Sequence, residues 1–118
     1  MNRDAMEVMS VMNNELALTE STYYILLALY EPRHGYGIMQ QVESLSKGRV
    51  HLAAGTLYGA LNALCDKEWI VQLPGEDGSR RKEYRLTRRG YDVLKAELER
   101  LRELVENGDA ILGGKSNG

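Results

Sequence analysis

The 118-residue chain sets 15 lysines and arginines against 17 aspartates and glutamates, a formal net charge of −2, and is 43% apolar. That length supports one modest core rather than two, and the composition excludes a disordered chain. The near-neutral total does not name a partner, and no apolar run reaches the roughly 18 residues that would suggest a membrane-spanning helix. Met1, Asn2, Arg3 and Asp4 lack the basic-then-apolar layout of a secretory signal. The single cysteine, Cys65, suits a reducing compartment, so a cytoplasmic location is expected and no membrane partner.

Residues 5–18 place Met6, Met9, Met12 and Leu16 at near-helical spacing, with Val8 and Val11 beside them, which predicts an N-terminal helix. Thr19 precedes the apolar run from Tyr23 to Tyr30 and is a candidate N-cap, with Ser21 and Thr22 as alternatives. Pro32 stops this second helix, since proline lacks the N–H of the ladder and restricts its predecessor. "RHGYG" (33–37) reads as a tight connection. A third helix runs from about Tyr36 to Leu45, with Ile38, Val42 and Leu45 facing inward. Lys47 and Gly48 end it, Gly48 being able to turn left-handed. In "GTLYGALNALC" the residues Leu57, Leu61 and Leu64 fall at i, i+4 and i+7, the narrow core stripe of a fourth helix over 54–67, flanked by Ala60 and Cys65.

The period then changes. "WIVQLP" (69–74) is short and β-prone, Asp77-Gly78 signals a turn, and "KEYRL" (82–86) alternates with Tyr84 and Leu86 on one face. Thr87 caps a final helix over about 88–107 that ends near Gly108, and "GGKSNG" reads as a disordered tail. The expected fold is mainly α with a small β-hairpin (α+β). It divides into an N-terminal helix (1–18) joining a dimer interface, a winged helix-turn-helix domain (19–87), a dimerisation helix (88–108) and a flexible tail (109–118). Helix 36–45 is the positioning helix, 54–67 the recognition helix and 70–86 the wing.

Charge is unevenly distributed along this order. "GSRRKEYRLTRR" (78–89) holds six basic residues and one acidic one, whereas residues 92–109 hold six acidic and three basic. With Leu57, Leu61 and Leu64 inward, Thr56, Tyr58, Gly59 and Asn62 face out, and Thr56, Tyr58 and Asn62 can hydrogen-bond to bases or phosphates. The small residues Ala53, Ala54 and Gly55 leave the helix-end N–H groups open to phosphate. An ordinary amphipathic helix would show the same periodicity. A basic arm carrying Arg80, Arg81 and Lys82 directly after it tilts the reading toward DNA, where long cations reach phosphates or the minor groove. Arg88 and Arg89 oppose the dipole of the helix that Thr87 starts, which points to some other use for their charge.

In the last helix Tyr91, Leu94, Leu98, Leu101, Val105 and Leu112 follow a heptad track. Gly108 takes one slot, and Lys95, Glu97, Glu99, Arg100, Arg102 and Glu103 stand on the flanks. That pattern fits a seam between two copies; packing on the chain's own first helices is the alternative. Met9 and Met12 would join the same interface, methionine packing adaptably. No catalytic residues, metal site or cofactor are expected: His34 and His51 have no ligand partners at metal spacing, and Cys65 reads as a small core residue.

"HGYGIMQQV" (34–42), "GTLYGALNALCDKEWI" (55–70) and "RRKEYRLTRRG" (80–90) resemble the three signature blocks of PadR-type transcriptional regulators, most of all the short subfamily with a single C-terminal helix. The resemblance spans about Leu18 to Leu104. It implies a homodimeric repressor of palindromic promoter sites, released from double-stranded DNA by small aromatic or amphipathic compounds. It assigns Tyr36, Thr56, Tyr58 and Arg80 to Lys82 to DNA. With the apolar Met-rich face it suggests an effector pocket at Met9, Met12, Tyr23, Leu98 and Leu101. The alternative is a winged-helix module that binds protein. This chain departs from the family pattern at Gly59, where a basic or bulkier polar residue is usual. It departs again at Ala53, an N-cap position where losing a side-chain acceptor weakens a helix start by about 1 kcal/mol. The last helix lacks the tryptophan on which some relatives stack ligands; Trp69 reads as structural.

Overall fold

The computed structural model describes residues 17–74 and 81–113. The expected N-terminal helix with Met9 and Met12, the turn with Arg80, and the end of the tail lie outside the described residues. Helix α1 (Glu20–Ala28) starts where Thr19, in an extended conformation, accepts the Thr22 N–H on its side-chain oxygen at 3.1 Å, with Glu20 in the first turn. This settles the choice among the three candidate caps, and an acid at that end suits the dipole. Its buried side chains are Ile25, Leu26 and Ala28. Arg33 closes the other end by donating from Nε to the Ala28 carbonyl at 2.8 Å.

"RHGYG" is more than a connection. Arg33–His34 form strand β1, paired antiparallel with the wing through Arg33↔Tyr84 and His34↔Glu83. The expected two-stranded hairpin is therefore a three-stranded sheet. Strand β2 (Ile70–Pro74) and strand β3 (Lys82–Leu86) pair antiparallel with Val71 opposite Arg85, in the order β1-β3-β2. Trp69 lies just ahead of β2, buried, with its N–H on the Leu64 carbonyl at 3.1 Å. Lys67 sits 5.1 Å over its ring, so Trp69 has a packing role.

Helix α2 (Gly35–Leu45) buries Ile38 and Val42 as expected, but Leu45 is 40% exposed. Val50 and Leu52, on the following loop, are buried in the core instead. The loop is shaped by Ser46, whose hydroxyl accepts the Val50 N–H at 2.9 Å, and by Lys47 and Gly48, both left-handed at φ 55° and 82°. Helix α3 (Ala54–Asp66) buries Leu57, Leu61 and Leu64, and Ala60 and Cys65 pack at the edge of that core. Burial, with Asp66 adding, pushes the Cys65 thiol up.

Helix α4 (Arg88–Leu112) runs through Gly108 and ends four residues beyond it. Thr87 caps it and tethers it: its oxygen accepts the Gly90 N–H at 3.0 Å, and its hydroxyl donates to the Glu68 carbonyl in the loop after α3 at 2.6 Å. Gly90 is buried on that first turn, and a Cβ there would collide with the Trp69 carbonyl. That carbonyl already accepts the Thr87 N–H at 3.0 Å. Gly90→Ala should therefore destabilise the domain by about 1–3 kcal/mol, the range for overpacking. Urea unfolding that leaves the midpoint in place would show that the turn yields freely.

Candidate nucleic-acid interface

The helix-turn-helix pair is α2 and α3, and side-chain bonds fix the loop between them. Arg49 holds Glu20 through Nε at 2.9 Å and Nη2 at 2.6 Å, tying the loop to α1. His51 Nδ1 lies 3.3 Å from Glu43 on α2. Ala53 then begins α3 in an extended conformation with no side-chain cap, so the first-turn N–H groups have no side-chain acceptor there.

With three leucines inward, the outward face of α3 carries Thr56, Tyr58, Gly59 and Asn62, all exposed. Tyr58 is 44% exposed and Tyr36, on the first turn of α2, 66%. The Tyr58 phenol lies against Gly35, immediately before Tyr36. The fold thus brings Tyr58 of α3 to the first turn of α2, where Tyr36 is exposed. Asn62, one turn beyond Tyr58, borders a cleft of about 730 Å³ together with Cys65, Ile70, Val71, Arg88 and Arg89. On the wing, Lys82 opens β3 and Arg81 precedes it, both exposed, with Arg85 further along. Arg88 pairs with Asp92 at 3.2 Å, which offsets one of the two cations opposing the helix dipole.

The α4 track splits into two parts. Leu94 does not face a partner: it is 6% exposed and belongs to its own domain's core, as α4 packs across α1. Leu98 and Leu101 are half-buried, while Tyr91 and Val105 are exposed, together with Leu104, Ile111 and Leu112. Leu104 and Ile111 fall off a strict heptad and escape a search for one. Glu97 also departs from expectation. Instead of flanking the track in solvent it is 1% exposed, bound to Arg100 by two bonds of 2.8 Å, and it accepts the Leu18 N–H at 3.3 Å. That pairing holds the Arg100 proton more firmly. Tyr23, half-buried nearby, has its phenol pushed up by burial first and Glu97 second. Among the described residues no group of acids, histidines and cysteine could hold a metal ion, and no helix is long and apolar enough to cross a membrane.

Three helices, the third of them without a side-chain cap and polar on its exposed face, followed by a basic β2-β3 wing that pairs with β1, define a winged helix-turn-helix protein. Comparison with known proteins agrees: the family described as "Transcriptional regulator PadR-like family" matches residues 24–96. The chain belongs to that family, and it is a DNA-binding transcriptional regulator. It is 31% identical over 90 residues to an uncharacterized protein of Lysinibacillus sphaericus, covering 75% of this chain and 83% of that one. Among solved structures it resembles a PadR family transcriptional regulator of Eggerthella lenta (25% identity, 92% and 90% of the two chains, TM-score 0.64). A PadR family regulator of Clostridium difficile shares the fold at 24% identity, over 80% and 99% of the chains, with TM-score 0.67. So does a point mutant of Staphylococcus aureus MepR at 18% identity, over 96% and 82%, with TM-score 0.69.

Proposed function

We propose that this regulator is a cytoplasmic homodimeric repressor that reads a palindromic promoter site. Thr56, Tyr58 and Asn62 of α3 would lie in the major groove, with Tyr36 beside them. Arg80, Arg81 and Lys82 would lie on the flanking phosphates. The observation that carries the reading is the pairing of two unfilled surfaces on one chain. One is the exposed face of α3 beside the wing; the other is the apolar track of Tyr91, Leu98, Leu101 and Val105 on α4. Two copies joined along α4 present two recognition helices, and such a dimer calls for half-sites about one helical turn apart. A footprint with a single half-site would end the proposal. A small aromatic or amphipathic effector would release the DNA from a pocket involving Tyr23, Leu98 and Leu101 with Met9 and Met12.

The wing residues act through charge. Arg81→Ala or Lys82→Ala should weaken binding to operator and scrambled duplex alike, and lower the salt slope by about 0.9 for each phosphate no longer neutralised. Affinities at several salt concentrations measure this. Weaker operator binding alone, with an unchanged slope, would make these residues base readers instead.

A further inference from the structure

We infer that Gly35 is a positioning residue for DNA discrimination: its missing side chain seats the Tyr58 ring on α2, so that ring placement, rather than the Tyr58 hydroxyl, sets base selectivity. The inference rests on the reading that the α3 face meets DNA.

Gly35 is buried in the first turn of α2, and glycine is a poor helix former, so local preference favours alanine there. Its backbone does not need glycine either, since Gly48 is the one glycine with positive φ among the described residues. What needs glycine is space. A Cβ at position 35 would lie 2.7 Å from Tyr58 Cζ and 3.2 Å from Cε1, and closer still to the hydroxyl oxygen. The phenol tip therefore rests against the α2 backbone and points across to the neighbouring helix. The hydroxyl makes no hydrogen bond among the described residues, so contact with Gly35 and the ring's own bulk hold it. Tyr58 is still 44% exposed, which leaves the ring's other side free to meet DNA. Gly59 and Gly55, on the exposed face of α3, have nothing within 4 Å of a Cβ position, so neither of them constrains the Tyr58 ring as Gly35 does.

A methyl at position 35 would push the ring off α2 and toward the groove. Base contacts depend on sub-ångström placement of the helix, so displacing the ring should harm discrimination as much as deleting it.

The test uses the full-length protein, an operator selected by the wild type from a random duplex library, and a scrambled duplex of the same composition. The readout is the ratio of the two affinities. Gly35→Ala and Tyr58→Ala should each lower the ratio by about tenfold or more, while Tyr58→Phe should stay within about twofold of wild type. The Gly35→Ala/Tyr58→Ala double variant should equal Tyr58→Ala, because the clash is gone once the ring is removed. A purely structural glycine would instead lower both affinities together and leave the ratio alone. If Gly35→Ala fails to fold, the double variant carries the test, since it must fold and bind as Tyr58→Ala does. Gly35→Ala discriminating like wild type, a double variant losing the product of the two single effects, or Tyr58→Phe losing as much as Tyr58→Ala would each overturn the inference. A wild type that selects no consensus from the library would overturn the DNA-facing assignment of α3 as well.

Discussion

Replacing Glu97 with alanine should lower unfolding stability by about 2–3 kcal/mol, a large share of what a domain this size commands. The carboxylate is 1% exposed and satisfies both Arg100 and the Leu18 N–H, 79 positions away in sequence. Removing it strands an inward amide, empties the space it filled, and leaves a guanidinium without its partner. Breaking a fully buried ion pair costs about 3–5 kcal/mol. The smaller figure applies here because the Arg100 side chain keeps 32% of its surface in solvent and can turn toward water. Glu97→Gln retains an acceptor for Leu18 and should lose about half as much. Urea unfolding of the three proteins measures the order; an alanine variant as stable as wild type would mean that the pairing contributes nothing.

The position of that bond matters for function as much as its strength. Helix α4 is anchored to the DNA-binding domain at two points. Its first turn is locked by Thr87 on Glu68 and by Gly90 against Trp69, and two turns on Glu97 clasps the start of the domain at Leu18. A helix held at two places cannot swing. If α4 joins two copies, the separation of their recognition helices is set by this clamp, and loosening it should blur the preferred half-site spacing.

The parts of this architecture that were readable in the sequence are those written in local periodicity. The Leu57, Leu61 and Leu64 stripe, the Thr19 and Thr87 caps and the alternation of Lys82 to Leu86 each follow from residues within a few positions of one another. What was not readable depends on partners far along the chain. Strand β1 is two residues long and exists only because Tyr84 and Glu83 pair with it. Leu45 has the spacing of a core residue, yet Val50 and Leu52, after the Ser46 turn, are buried instead. Glu97 sits among charged flanking residues, and only its distant Leu18 partner distinguishes it. Gly35 and Gly90 could be read as turn or breaker residues; their use is to admit a ring and a carbonyl. The outward α3 face was legible because it is the complement of the core stripe, whereas the role of each residue on it depends on neighbours such as Gly35.

Leu98→Glu should dissociate the dimer that the α4 track implies. Leu98 is half-buried within its own chain, below the exposed Leu104 and Val105, so it lies where the domain's core gives way to the free part of the helix. In the proposed dimer a carboxylate there would meet its own symmetry mate across an isologous seam, and each dimer would carry the substitution twice. Charge placed in an apolar seam without a partner should cost on the order of 3 kcal/mol per dimer, roughly a hundredfold in the dissociation constant. Because the side chain also touches its own domain, Leu98→Ala serves as the companion variant: it removes the same apolar atoms without adding charge. Circular dichroism and urea unfolding should show both variants folded. Sedimentation should then find wild type and Leu98→Ala as dimers at micromolar concentration and Leu98→Glu as a monomer. The monomer should keep binding to a single half-site and forgo the added affinity of two. A wild type that sediments as a monomer would remove the seam and the palindromic operator together, and a Leu98→Glu protein that remains dimeric would move the interface elsewhere on the chain.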